Sequence, residues 1–394
     1  MSPAPTAGPA RPRILIFTMT PFAREPRALR QLNALRDLYD VTTAGFGPAV
    51  DAETPHIELD PSPALPRWLR VPGIHTGLVV LRQHRLLSRF IPRNRGAYER
   101  LKDTSWDLII AHDVATVPVA ARLVSAHGYV VDLHEYAPRQ GEESRRWMLE
   151  VAPYFRWILR TFVTRARAVT TVGRGIVDEY RDQFGIDAIL SVNATPYAPL
   201  EPRPSSRPLR LVHSGIPSRA RKLEVMIEAV ALTDADVTLD LLLIDDDSDY
   251  LHELRALAAA DERVTIRPPV PYSELVSTLN SYDVGLGMIA PSTFNLAWCL
   301  PNKFFDFVQA RLGVIVGPSP EMAQYVREYG LGAVADDFTP ASLARALSDL
   351  DPETVDRWKA ASHSAAAELS GERQAEIWQR LVADVLTRTP LSKG

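Results

Sequence analysis

Short, continuous apolar runs alternate with stretches of helical periodicity along most of the chain. In the first half the strand-length runs fall at 14–18, 41–45, 108–112, 130–133, 169–172 and 189–192. In the second half they fall at 209–213, 239–244, 264–266, 284–289, 314–316 and 332–334. Strands alternating with helices in this way are the signature of parallel α/β layers. Between the two series lies 196–208, whose five prolines read as a linker. The pattern therefore predicts two Rossmann-like halves, 12–200 and 201–371, with parallel sheets facing across a cleft. A last helical pattern, 372–394, carries Ile377, Trp378, Leu381, Val382 and Val385 as its apolar stripe. It either closes the second half or crosses back to the first.

One segment of the pattern carries chemistry as well as structure. Leu300-Pro301-Asn302-Lys303-Phe304-Phe305-Asp306-Phe307-Val308 reads as a helix with proline in its first turn, stopped at Gly313 before a buried β-branched strand. Asn302, Lys303 and Asp306 lie within about one turn, with Lys303 and Asp306 as i,i+3 neighbours. A helix N-terminus attracts anions through its free N–H groups and dipole. A lysine there makes a phosphate site, and an acid one turn further in suits a ribose diol. The combination points to a nucleotide-sugar pocket.

Composition narrows the class. The 394 residues exceed one ordinary core, and 46% apolar with 23% charged residues is a globular balance. The lone Cys299 excludes a disulfide framework and any zinc–cysteine cluster, and suits the cytosol. Residues 1–13 are rich in alanine and proline without an apolar core, so they do not read as a signal peptide. No run of about 18 apolar residues is present to span a membrane. The net charge of −4 hides an asymmetry: 1–200 hold 25 Lys+Arg against 20 Asp+Glu, the rest 19 against 28. A basic half and an acidic half imply different partners.

Several local sequences now combine into a family likeness. Ile14-Leu15-Ile16-Phe17 leads through a loop to Arg24-Glu25-Pro26-Arg27-Ala28-Leu29-Arg30-Gln31-Leu32. Trp106-Asp107-Leu108-Ile109-Ile110-Ala111-His112-Asp113 and Val131-Asp132-Leu133-His134-Glu135 follow. The second half opens on a strand ending His213-Ser214-Gly215, then Arg219, Arg221 and Lys222. Later come Asp283-Val284-Gly285-Leu286, the Pro301-Asn302-Lys303 helix and Pro318-Ser319-Pro320-Glu321-Met322. In order and spacing the chain resembles the retaining glycosyltransferases of family 4, which have the GT-B fold, in their Pro-Asn-Lys variant. The resemblance covers almost all of the chain.

It implies an acceptor domain first and a nucleotide-sugar domain second. His112-Asp113 and His134-Glu135 close predicted strands, where ligands sit in open α/β sheets, although each histidine could equally cap a turn. By the resemblance His134 lies near the donor sugar and the reacting centre, and Glu135 or Asp113 near the acceptor. Retaining transfer of this kind is read as same-face attack on an oxocarbenium-like centre, and the departing phosphate takes the acceptor's proton. The leaving diphosphate needs cations. Gly215 allows close backbone approach, Arg221 and Lys303 are the expected clamp with Arg219 next, and a solvated basic loop is the plain alternative. The family's acidic pair, eight residues apart, is incomplete. Asp306 holds the ribose position, but Trp298 stands at the sugar position and cannot accept a hydrogen bond.

Other features bound the chemistry. Asp245-Asp246-Asp247-Ser248-Asp249 could attract Mg²⁺ or Mn²⁺, but capping of the following helix explains it better and the family uses no metal. Neither G-x-G-x-x-G nor a P-loop is present, which excludes the usual dinucleotide and NTPase sites. Arg67, Trp68, Arg70, Arg82, Arg85, Arg89, Arg93, Arg95, Arg100 and Lys102 interleave with Leu78, Val79, Leu86, Leu87, Phe90 and Ile91. Arg145, Arg146, Arg156 and Arg160 do so with Trp147, Tyr154, Phe155 and Trp157. Basic amphipathic helices of this kind lie on anionic membranes, or are simply solvated faces packed on their own domain. Nucleic acid is not an expected partner.

The expectation is a metal-independent enzyme with no cofactor besides its donor substrate. It would move a sugar from a nucleotide-sugar to a saccharide, polysaccharide or lipid-linked acceptor of the cell envelope. It would work in the cytoplasm, with a peripheral place on the inner membrane face left open. Two rivals remain: a non-catalytic nucleotide-sugar-binding partner in envelope-polymer synthesis, and a nucleotide-sugar epimerase of the same fold.

Overall fold

A computed structural model describes residues 11–62 and 74–391. Residues 1–10, and Arg67, Trp68 and Arg70 of the basic stretch, lie outside them. The chain divides into two compact units. The first holds the chain to Val172, Ile176–Ser191 and everything from Ala375 on; the second holds Gly173–Gly175 and Val192–Gln374. The division thus falls at Ser191, nine residues before the point expected at 200.

Unit 1 is built on strands β1 (Arg13–Pro21), β2 (Asp40–Phe46), β3 (His56–Leu59), β4 (Leu108–His112), β5 (Tyr129–Asp132), β6 (Ala168–Thr171) and β7 (Ile189–Leu190). They form one parallel sheet in the order β3-β2-β1-β4-β5-β6-β7. Its apolar runs are continuous because both faces are buried. Ile14 and Ile16 pack with Leu32, Leu35, Leu108 and Ile110 on one face, while Leu15 and Phe17 pack with Leu101, Trp106 and Ile109 on the other. The helix Gly371–Thr387 puts Trp378, Leu381, Val382 and Val385 into the first of these cores. Burial of each aliphatic side chain there is worth about 1.5–3 kcal/mol. Trp378 Nε1 also donates to Ser191 Oγ at 3.2 Å.

Unit 2 contains β8 (Leu209–Gly215), β9 (Val237–Leu243), β10 (Val264–Arg267), β11 (Val284–Gly287), β12 (Gly313–Val316) and β13 (Gly332–Val334). They are ordered β10-β9-β8-β11-β12-β13, again all parallel. In each sheet the strand order reverses beside the first strand, β1/β4 and β8/β11. Binding crevices open at the carboxyl ends of such strands.

Three local expectations change. β3, a short polar edge strand, has too little apolar pattern to be read in advance. The helix Asn302–Gln309 is not stopped by Gly313; the left-handed residue is Arg311, at φ 61°. Its buried guanidinium donates to the carbonyls of Gln309 at 2.7 Å and Ala198 at 2.6 Å, which holds a conformation a non-glycine residue resists. The proline-rich stretch is no free linker either. Arg203 Nε donates to Asn280 Oδ1, Ser205 N to Asp356 Oδ1 and Arg207 Nη2 to Leu350 O, fastening it along unit 2.

Candidate active site

In unit 1 the buried polar cluster starts from the helix Pro26–Leu35, which connects β1 to β2 and so begins at the carboxyl end of the sheet. Arg27 and Gln31, i,i+4 neighbours on its inner face, are both buried. They converge on Asp132, the last residue of β5, which is fully buried. Asp132 Oδ2 accepts from Arg27 Nε at 2.9 Å and Gln31 Nε2 at 2.8 Å. Asp132 Oδ1 accepts from Arg27 Nη2 at 2.5 Å and Thr170 Oγ1 at 2.6 Å. Burial alone would raise the Asp132 pKa; the Arg27 guanidinium outweighs it and holds the carboxyl well below its ordinary value.

The two histidines meet on this base. His112 Nε2 lies 2.8 Å from Gln31 Oε1, and His112 Nδ1 lies 3.1 Å from His134 Nε2. Burial, helped by His134 and Arg27, pushes His112 down to about 3. His134 is the part-exposed member, with 22% of its side chain accessible. Glu135 accepts from Gln140 Nε2 at 2.6 Å, and burial raises its pKa. Asp113 sits in the left-handed region at φ 62° and caps Val114 N at 2.7 Å. Backbone strain of this kind concentrates at functional sites. His112, Asp132 and His134 also present nitrogen and oxygen atoms within 4.8 Å of one another, a metal-like grouping. As they lie, a cation would have to displace one of Asp132's four donors and the proton shared by the imidazoles.

In unit 2 the helix Asn302–Gln309 connects β11 to β12, so its N-terminus also lies at the carboxyl end of its sheet. Gly285 of β11 lets it lie close: a Cβ there would fall 2.4 Å from the Phe307 ring. Lys303, in the first turn, is 7% exposed. Its Nζ lies 2.9 Å from His213 Nε2 in β8. His213 Nδ1 lies 2.8 Å from Leu286 O, and a carbonyl can only accept, so Nε2 carries the lone pair and Lys303 donates. Burial, with Lys303 and Arg221 adding, keeps His213 well below its usual pKa and therefore neutral.

Gly215 ends β8 at φ 145°, and a Cβ there would lie 3.0 Å from Lys303 Nζ and 3.5 Å from Arg221 Nη1. Two cations thus face a stretch of bare backbone. Burial first, and Arg221 second, push Lys303 down to about 7. Among the described residues neither Lys303 nor Arg221 forms an ion pair. Asp306 is buried, its Oδ1 accepts from Thr195 Oγ1 at 2.6 Å, and burial raises it to about 6. Cys299 is raised to about 11 by burial and stays a thiol.

The structure therefore brings together Gly215, Arg221, Lys303 and, one helical turn away, Asp306. Asn302 is exposed beside them at the start of the helix. Arg219 is drawn off: it pairs with Glu253 at 2.5 Å and lies over the Tyr250 ring. His112, His134, Asp113 and Glu135 share the other unit's strand ends. Sequence reasoning passed over Arg27, Gln31, Asp132, His213 and Thr195 as site residues. Trp298 is a packing residue, with its ring against Gly175 where a Cβ would fall 2.1 Å from the indole.

Comparison with known proteins follows the same division. Residues 25–192 match the family model of the glycosyl transferase 4-like domain. No curated protein sequence matches the chain. Among solved structures, HepE of Anabaena in complex with UDP-glucose is 14% identical with a TM-score of 0.66, over 95% of this chain and 100% of that one. Sucrose-phosphate synthase from Thermosynechococcus elongatus is 14% identical with a TM-score of 0.67, over 95% and 99%. A glycosyltransferase from Rickettsia africae is 12% identical with a TM-score of 0.65, over 96% and 99%. At such identities the likeness is one of fold.

Proposed function

We propose that this chain, whose residues 25–192 belong to the glycosyl transferase 4-like domain family and whose fold is that of the GT-B glycosyltransferases, is a retaining glycosyltransferase using a nucleotide-sugar. The observation that carries the reading is the pair of cations over Gly215, buried Lys303 and half-buried Arg221, neither of them in an ion pair with a carboxylate among the described residues. A buried ammonium left with only a neutral imidazole is costly, and a diphosphate supplies the missing charge. The two cations would stabilise the negative charge that develops on the leaving diphosphate, a task for which no metal is then needed. Asp306 would hold the ribose, and His134 would contact the sugar near its anomeric carbon. Asp113 and Glu135 would face the acceptor. HepE, crystallised with UDP-glucose, supports a uridine nucleotide as the first donor to try.

We favour a lipid-linked or polysaccharide acceptor of the cell envelope, met at the inner membrane surface. The helices His84–Phe90 and Ala152–Thr161 pack together through His84 on the rings of Tyr154 and Trp157, each 5.9 Å away. These contacts bring the two arginine-rich segments together within unit 1. On those segments Val80, Leu81 and Leu149 are 72%, 69% and 72% exposed among exposed Arg82, Arg85, Arg89, Arg145 and Arg146. Aliphatic tips among arginines suit an anionic bilayer. No described helix is long and apolar enough to cross one. Sedimentation with vesicles containing an anionic lipid should carry the protein down, and with neutral vesicles it should not.

A rival binding protein without transfer has Trp298 in its favour, since the sugar-holding acid of the resembled family is absent there. One experiment separates the readings. A thermal-shift screen of nucleoside diphosphates should raise Tm, and the donor so identified should be turned over with an envelope glycan acceptor. Stabilisation without turnover on any acceptor supports the binding protein. No stabilisation by any nucleoside diphosphate contradicts both.

A further inference from the structure

We infer that Gln31 and His112 are positioning residues that lock one protonation geometry on His134: Nε2 always bears a proton directed inward, and Nδ1 is the atom that offers a lone pair. The inference rests on the reading of unit 1 as part of a sugar-transfer site only for what Nδ1 meets. The hydrogen-bond chain itself stands on geometry.

The chain begins at an anchor that can only accept. All four acceptor positions of the Asp132 carboxylate are taken by Arg27 Nε, Arg27 Nη2, Gln31 Nε2 and Thr170 Oγ1. Gln31 must therefore turn its NH₂ to Asp132 and its carbonyl Oε1 to His112 Nε2, 2.8 Å away. A carbonyl accepts, so His112 Nε2 carries hydrogen. His112 lies 1% exposed beside the Arg27–Asp132 pair, and burial there keeps it neutral with one ring proton. Its Nδ1 is then a bare lone pair, 3.1 Å from His134 Nε2. That contact is a hydrogen bond only if His134 Nε2 is the donor. The opposite tautomer would set two lone pairs against each other inside the protein, which leaves a buried acceptor unsatisfied. Neutral His134 therefore presents Nδ1 as an acceptor, suited to a sugar hydroxyl, and gains a proton only at that atom.

The function of each group follows. Arg27 neutralises the anchor, Asp132 orients the amide, Gln31 selects the tautomer of His112, and His112 selects that of His134. None of the first four need touch substrate. His134 is aimed by the four residues behind it, much as outer partners fix a metal-bound imidazole, with a substrate hydroxyl in the metal's place.

The test reads the imidazole nitrogens directly. Long-range proton–nitrogen correlation spectra of ¹⁵N-histidine-labelled full chain, at a pH where His134 is neutral, should show His134 protonated at Nε2 and lone-paired at Nδ1. His112 should show the same pattern. Gln31→Leu removes the carbonyl that holds the His112 proton, so the mutant should show a mixture of tautomers at both rings. Nucleoside diphosphate affinity, set by unit 2, should stay within twofold. If transfer is detected, Gln31→Leu should lower kcat at least tenfold with little change in KM for the donor. A wild-type His134 protonated at Nδ1 would overturn the proposal, as would an unchanged tautomer in Gln31→Leu. The wild-type spectrum needs no mutant, so poor folding of Gln31→Leu leaves the proposal exposed to refutation. Correct tautomers without any transfer would sink the sugar-transfer reading and not the hydrogen-bond chain.

Discussion

The two polar clusters are built alike and finished differently. In both, the N-terminal turn of a crossover helix delivers a buried cation to the carboxyl ends of a parallel sheet: Arg27 in unit 1, Lys303 in unit 2. Arg27 meets a carboxylate that two other side chains also satisfy. Lys303 meets a neutral histidine, a second cation and bare backbone. A completed network holds a side chain still, whereas an incomplete one waits for a ligand. On the proposed reading, the first cluster is a positioning device and the second a binding site.

The largest expected effect comes from spoiling the completed network. Arg27→Leu leaves Asp132 buried and without its counter-charge, which costs about 3–5 kcal/mol. For a unit of this size that lowers Tm by roughly 6–20 °C, measurable by calorimetric scanning. The matching change in the incomplete site should act the other way. Lys303→Met removes an uncompensated buried cation, so the ligand-free protein should be no less stable at pH 7 and the nucleotide should no longer stabilise it. Equal destabilisation by the two mutations would contradict that difference between the clusters.

Next in size is Gly215→Ala. A Cβ at φ 145° is strained, and it would sit 3.0 Å from Lys303 Nζ where a phosphate is expected. Strain of this kind costs about 1–3 kcal/mol, and diphosphate affinity should fall by at least tenfold in titration calorimetry. Wild-type affinity in this mutant would move the phosphates elsewhere.

The smallest effect is a pH dependence. Lys303 folds with a pKa of about 7, below the 10.5 of an ordinary lysine. The unfolded chain thus binds more protons between those values, and stability from this group rises as pH climbs from 7 toward 10. Asp306 folds at about 6, above 3.8, so its contribution falls as pH rises from about 4 through 6. Together they place the least favourable window near pH 6–7 in ligand-free protein. The Tm–pH profile of Lys303→Met, subtracted from that of wild type, should show the lysine limb. A flat difference would mean that Lys303 is not held in a desolvated site.

The sheets were legible because both faces of each strand are buried, and a run such as Ile14–Phe17 has no other use. The edge strand His56–Leu59 lacked that signal, and the left-handed Arg311 is held by Ala198, more than a hundred residues away. The meeting of Gly215 and Lys303 was legible because they are unusual residues for a strand end and a helix start. Arg219 could not be separated from Arg221 by spacing, since Glu253 on another helix decides it. The buried network did leave a trace. Asp132 interrupts Val130-Val131 and Leu133, and a carboxylate inside an apolar run must be paired. Its partners Arg27 and Gln31 lie one turn apart on the inner face of an amphipathic helix. What the sequence could not show was that they meet, because the pairing spans 105 residues.

On the proposed reading, Lys303 waits partly deprotonated for a diphosphate. Titration calorimetry of the preferred nucleoside diphosphate at pH 8, in two buffers of different ionisation enthalpy, tests it directly. Wild type should take up most of one proton on binding, as the diphosphate restores the ammonium. Lys303→Ala should lose that uptake and about ten- to 150-fold in affinity, the worth of one charged hydrogen bond of about 1.5–3 kcal/mol. Binding by wild type without proton uptake, at an affinity that Lys303→Ala leaves unchanged, would contradict the account.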